Sequence, residues 1–200
     1  MNYGTSSDVV VIDDLVEEPL RRRLEALMRS PIWAYGWRST LNDGRFCYWH
    51  AHFAGTLESR IDCESEFSDE PLLKPIHELW KALECSILVG HEPLRVYANA
   101  HTFGVEGYVH RDHKDTENYF STIYYSHSRW DKDWAGETVF FSETGEDVVA
   151  SVYPKPGRLV SFRGAIPHCA RAPSRECPEL RTTIVFKTQR RSNESQAVAP

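Results

Sequence analysis

From Leu94 to Lys187 the chain is a succession of short β-prone segments separated by clusters of Gly, Asp, Pro and Ser. This pattern constrains the fold more than any other feature. The segments are Leu94–Asn99, Tyr108–Asp112, Phe120–Tyr125, Glu137–Phe141, Asp147–Tyr153, Arg158–Phe162, His168–Arg171 and Thr182–Lys187. About eight short strands without an internal repeat predict a closed or double-sheet β unit such as a jelly roll.

The first half is mixed. Val9–Ile12 is a β-branched run that predicts a buried strand. Leu20, Leu24 and Leu27 recur at helical spacing after Pro19. Leu72, Ile76, Leu79 and Leu83 do the same after Pro71. Trp33 to Arg38 and Phe46 to Phe53 are aromatic-rich and read as strands, joined by turn residues from Ser39 to Gly44. The acidic stretch from Leu57 to Asp69 suggests no element. The expectation is an α+β, mainly β chain forming a single domain over 1–200. A support layer of helices and strands (1–93) would flank a double-stranded β-helix, or cupin-like jelly roll (94–188), with a polar, flexible tail over 189–200.

Charge and cysteine usage narrow the function classes. With 23 basic against 29 acidic residues the net charge is −6, which argues against a nucleic-acid partner, since such proteins carry a basic field. No apolar run reaches the length of a membrane span, and the first residues lack a secretion signal. Cys47, Cys63, Cys85, Cys169 and Cys177 are scattered, with no Cys-x-x-Cys pair. They are expected to be free thiols of a cytoplasmic protein.

Within the β unit, Gly107-Tyr108-Val109-His110-Arg111-Asp112-His113-Lys114-Asp115 carries the chemistry. On a strand, alternation would point His110 and Asp112 to one face. His168, after Ile166-Pro167, offers a third arm. Two imidazoles and one carboxylate on one face of a metal leave coordination positions open, as in non-haem iron sites. Arg181, opening the last strand, offers a guanidinium for two-pronged binding of a carboxylate. A second pair, His113 and Asp115, abuts the first. His110 and Asp112 are preferred because Gly107-Tyr108-Val109 continues the strand pattern into them.

Leu94 to Lys187 resembles the Fe(II)/2-oxoglutarate-dependent oxygenases, in particular the prolyl 4-hydroxylase-like branch. The similar pieces, in order, are Val96-Tyr97, Gly107 to Asp112, Thr122-Ile123-Tyr124-Tyr125 and Trp134-Ala135-Gly136-Glu137-Thr138. Pro154 to Phe162, Ile166-Pro167-His168 and Arg181-Thr182-Thr183 follow. The resemblance implies that His110, Asp112 and His168 ligate Fe(II). It implies that Arg181 and Tyr125 hold the far carboxylate of 2-oxoglutarate, and that Tyr97 lines the cavity near its chelating end. Ala135 stands where the family turn has its first glycine. O2 would be the second co-substrate. Asp112 favours hydroxylation, because related halogenases lack this carboxylate.

The expected substrate is a small molecule, such as an amino acid or natural-product intermediate, hydroxylated at an unactivated C–H bond with release of succinate and CO2. Protein prolyl hydroxylation is the alternative. A nucleic-acid demethylase is disfavoured, because Arg181 to Lys187 lacks that family's two-arginine pattern. A non-enzymatic cupin-like metal- or ligand-binding protein is the rival from another class. Trp37, Arg38, Trp49, His50 and His52, with Asn99 and Arg163 as similar weak candidates, are considered for the substrate mouth; ordinary packing is the better account of each.

Overall fold

The structure, a computed structural model, describes residues 8–39, 47–56 and 62–191. Ten strands form two sheets. In chain order the elements are β1 (Val9–Ile12), α1 (Glu18–Met28), β2 (Ala34–Trp37), β3 (Tyr48–Ala54) and α2 (Cys63–Ser68). Then come α3 (Lys74–Glu84), β4 (His91–His101), β5 (Tyr119–Tyr125), β6 (Thr138–Phe141) and β7 (Val148–Val152). The chain ends with β8 (Leu159–Arg163), β9 (His168–Ala170) and β10 (Arg181–Arg190). The major sheet runs β1-β8-β5-β10-β4-β3-β2 and the minor sheet β7-β6-β9, with every pairing antiparallel. This is a jelly-roll, double-stranded β-helix architecture with few helices.

Side-chain alternation decides which face each strand residue serves. On the outer face of the major sheet, Ala51, Val96, Ala98, Tyr124, Ile184 and Phe186 pack against the helices. α1 contributes Leu24, Leu27 and Met28, and α3 contributes Ile76, Leu79, Trp80 and Leu83, one stripe at helical spacing. Glu18 in the first turn of α1 and Pro19 beside it suit a helix start. On the inner face, Tyr97, Ile123, Tyr125, Val160, Phe162 and Val185 meet Phe140 and Val152 of the minor sheet. The polar residues that alternate with the outer-facing set are thereby delivered to the space between the sheets.

Several expectations need correction. Tyr108–Asp112 is not a strand; only His110 makes a β-bridge, to His168. The segment is held by point contacts, with Gly107 N–H donating to the Ala170 carbonyl and Asp112 N–H to that of Gly164. The second helix begins at Lys74, after a 3-10 turn over Pro71–Leu73. The tighter turn shifts the helical phase, so Leu72 is 57% exposed while Leu73 and Trp80 are buried. The unassigned acidic stretch contains α2, capped by the Asp62 carboxylate accepting from Ser65 N–H at 3.0 Å.

Three strands of the major sheet, β1, β2 and β3, come from residues before 93. Gln189 and Arg190, expected in the tail, belong to β10. The rest of that tail beyond Arg191, most of the turn expected over 39–44, and 57–61 lie outside the described residues. All five cysteines are free thiols. Among the described residues no helix is long and apolar enough to cross a membrane.

Candidate metal centre

The inner faces of β4 and β10 supply most of one cavity wall. Arg95, Tyr97, Asn99 and His101 alternate along β4, and Arg181, Thr183, Val185 and Lys187 along β10. The two sets are cross-strand partners: His101 opposes Arg181, Asn99 opposes Thr183, Tyr97 opposes Val185 and Arg95 opposes Lys187. Together with Asp112, His110, His168 and Thr138 they line a cavity of about 350 Å³.

His110, Asp112 and His168 converge there, each offering a ligand atom within 4.8 Å of the others. The convergence comes from the backbone. His110 and His168 exchange both N–H···O=C bonds at 3.0 Å, and residues so opposed project side chains to one face. Each imidazole donates Nδ1–H to a carbonyl two residues earlier: His110 to Tyr108 at 2.7 Å, His168 to Ile166 at 2.9 Å. That fixes the tautomer and turns both Nε2 lone pairs inward. They lie 3.4 Å from Asp112, His110 Nε2 facing Oδ1 and His168 Nε2 facing Oδ2.

The carboxylate is held from behind. Ser121 donates its hydroxyl to Oδ2 at 2.6 Å, and the buried Lys187 ammonium pairs with the same oxygen. Lys187 also reaches Ser121 Oγ at 2.9 Å, because the two residues oppose each other across β10 and β5. Burial raises the Asp112 pKa, but Lys187 and the two imidazoles outweigh it and hold the carboxyl well below the usual range. Burial pushes His168 down to about 4, with Asp112 pulling against it. At neutral pH the site therefore presents a carboxylate and a neutral buried imidazole. A donor set of two imidazole nitrogens and one carboxylate oxygen, with Oδ1 left clear of Ser121 and Lys187, fits a divalent first-row metal such as Fe(II).

The second His-x-Asp pair is used otherwise. The His113 ring stacks on Tyr119 at 4.3 Å. Asp115 accepts from Glu117 and Asn118 N–H at 2.7 and 2.9 Å, closing its own loop.

Arg181 is buried at the other end of the cavity. Nε donates to the Gly136 carbonyl at 2.5 Å and Nη2 to Thr138 Oγ1 at 3.0 Å. Among the described residues no carboxylate pairs with it within ion-pair distance. Tyr125 bonds Thr138 Oγ1 through its hydroxyl at 2.6 Å, and its ring lies 5.3 Å from the Arg181 guanidinium carbon. Thr138 lines the cavity, with Tyr125 behind it. Gly136 permits the close approach: a Cβ there would stand 2.9 Å from Trp130 and 3.2 Å from Arg181 Cδ. Ala135, in place of the expected first glycine, takes φ +53°.

Tyr97 lines the cavity, its ring centroid 6.0 Å from Lys187 Nζ and 4.8 Å from the Arg95 guanidinium carbon. Of the mouth candidates, Trp37, Arg38 and Asn99 line the cavity. His50 sits behind them, stacked on Trp37 at 4.1 Å and bonded to Asn99 Oδ1 at 2.9 Å. Trp49 packs on Tyr35, and Arg163 reaches the Thr116 carbonyl away from the cavity. Lys187, Ser121 and Thr138 belong to the site although no sequence motif singles them out. The signal for Lys187 was available: it lies six residues after Arg181, on the same face of one strand.

No protein-family model matches the chain, and no curated protein sequence does. Solved structures do. A 2OG-Fe(II) oxygenase family oxidoreductase from Burkholderia pseudomallei matches with TM-score 0.70 at 16% identity, over 94% of this chain and 87% of that one. A prolyl hydroxylase from Trichoplax adhaerens, solved with a hypoxia inducible factor peptide fragment, matches with TM-score 0.67 at 15% identity, over 98% and 88%. A Pseudomonas putida prolyl-4-hydroxylase matches with TM-score 0.62 at 17% identity, over 93% and 94%. The chain has the double-stranded β-helix fold of these 2-oxoglutarate and prolyl hydroxylase enzymes.

Proposed function

We propose that this protein is an Fe(II)- and 2-oxoglutarate-dependent dioxygenase that hydroxylates a C–H bond of a small molecule. The observation that carries the reading is the inward-facing His110–Asp112–His168 set, sharing one cavity with a buried Arg181 that has no carboxylate partner among the described residues. A ferrous ion on the three ligands would supply the redox chemistry with O2 and 2-oxoglutarate. Arg181 binds the far carboxylate of 2-oxoglutarate, with Thr138 orienting its guanidinium and Tyr125 orienting Thr138. Lys187 and Ser121 keep Asp112 ionised and in place. Tyr97 closes the cavity beside Lys187.

The test is thermal stabilisation by 2-oxoglutarate in the presence of a divalent metal, together with 2-oxoglutarate turnover after Fe(II) loading. Absence of both in metallated protein would sink the reading. It would leave the cupin-like binding protein, for which Arg181 needs no carboxylate. Peptidyl prolyl hydroxylation is the second reading, favoured by the peptide in the Trichoplax structure. Prolyl peptides that stimulate 2-oxoglutarate turnover where small molecules do not would select it.

A further inference from the structure

This inference rests on the oxygenase reading and concerns its substrate. The chain carries net charge −6, yet among the described residues the cavity is lined by Arg38, Arg95, Arg111, Arg181 and Lys187 against Asp112 as the single acidic side chain. An acidic protein that gathers its cations around one cavity is built to hold anions there. Most of these charges are accounted for. Lys187 is paired with Asp112. Arg111 donates to the carbonyls of Ala165 and Glu143. Arg38 donates to Cys47 Sγ, and Arg181 serves the co-substrate.

Arg95 is left over. Half-buried on the inner face of β4, it makes no hydrogen bond or ion pair among the described residues. Its guanidinium carbon lies 4.8 Å from the Trp37 ring centroid and 4.8 Å from that of Tyr97. Such contacts use the faces of the guanidinium and leave its in-plane N–H donors open. Arg95 also stands directly opposite Lys187 in the β4–β10 register. Two like charges so placed repel each other, and Asp112 offsets only one of them. Asn99, four residues further along the same face, is fixed by His50 through its Oδ1, so its amide N–H donors remain for a ligand.

From this geometry we infer that the substrate carries a carboxylate, bound by the in-plane donors of Arg95 at the solvent end of the cavity. A planar oxyanion matches the guanidinium fork, and the flanking rings hold the fork in position before binding. Because Arg95 opposes Lys187, the bound acid lies one cross-strand position from the lysine that pairs with Asp112. The carboxylate belongs either to a free small acid or to an acidic peptide side chain; the recognition chemistry is the same.

The experiment uses full-length protein loaded with Mn(II) and saturated with 2-oxoglutarate, and reads paramagnetic relaxation of ligand protons. One arm compares free amino and hydroxy acids with their primary amides. A second arm compares Asp- and Glu-containing peptides with their Asn and Gln counterparts. Acids in one arm should show metal-dependent relaxation, with their amides about tenfold weaker or more. Arg95→Gln should abolish that preference, and Arg95→Lys should keep part of it. The responding arm identifies the source. Equal binding of acids and amides, acid binding unchanged in Arg95→Gln, or no acid bound in either arm would overturn the inference while leaving the oxygenase reading intact. Failure of 2-oxoglutarate to bind the metal-loaded protein would overturn both. The acid–amide comparison on the unaltered protein needs no variant to fold.

Discussion

His110 and His168 form an antiparallel bridge isolated from any strand pairing at His110, each N–H donating to the other's carbonyl at 3.0 Å, with ring centroids 4.5 Å apart. Two imidazoles 58 positions apart in the chain are thus fixed side by side by two backbone hydrogen bonds. His110→Ala or His168→Ala should lower Co(II) or Fe(II) affinity by at least about a hundredfold, since each removes a ligand where even a supporting contact is worth about 10–100-fold. His113→Ala, which loses only a stack on Tyr119, should bind metal as the unaltered protein does. Titration of the cobalt d–d absorption checks both, and equal losses would reassign the ligand pair.

Lys187 neutralises a buried carboxylate, so Lys187→Met should destabilise the metal-free protein by about 3 kcal/mol, or roughly 10 °C in Tm. A divalent ion replaces part of the lost positive charge. The variant should therefore gain more Tm from added metal than the unaltered protein does. Differential scanning calorimetry with and without Co(II) measures the difference, and an unchanged metal-free Tm would contradict it.

Thr138 stands between Tyr125 and Arg181. Thr138→Val should weaken 2-oxoglutarate binding about tenfold by freeing the guanidinium and leaving the Tyr125 hydroxyl unsatisfied. Tyr125→Phe, which loses the hydroxyl but keeps the ring beside Arg181, should cost less. Arg181→Gln should cost most. Calorimetric titration of 2-oxoglutarate into the metal-loaded protein ranks the three.

Buried histidines predict the acid limb of stability. Burial lowers His50, His91, His127 and His168 to about 4, and lowers His101 further. The unfolded chain takes up protons near pH 6.5, and the folded chain does so only near 4. The stabilisation is therefore complete above about 6.5 and is lost as pH falls toward 4, at about 1.4 kcal/mol per pH unit for each such group at most. His91→Gln, away from the metal ligands and able to keep the bond to Thr188, should flatten this slope by up to one such increment. Urea denaturation of metal-free protein at pH 7.5, 6 and 5 gives the slope.

Ala135 holds φ +53° and ψ −144°, a conformation costly for a residue with a Cβ. Ala135→Gly should stabilise the protein by about 1 kcal/mol, after the entropy of the added glycine is subtracted. Thermal denaturation checks the sign, and a lower Tm would show that the turn bears no strain.

The sequence by itself determined the strand run, the helical faces around Leu24 and Leu79, and the residues able to bind metal. These follow from local periodicity and from chemistry that few side chains possess. Period-two alternation also put Arg181 and Lys187 on one face, although that meaning emerges only once the face has a cavity beneath it. The tertiary structure alone decided the rest. Tyr108–Asp112 carries strand-like residues but finds no neighbouring strand beyond a single bridge, because a ladder requires a partner the local sequence cannot specify. Leu72 lost its place to Trp80 through the phase shift of one 3-10 turn. The convergence of His110 with His168, the pairing of Lys187 with Asp112, and the position of Arg95 opposite Lys187 all depend on register between segments far apart in the chain. Register is set by the packing of whole faces, so no single segment encodes it.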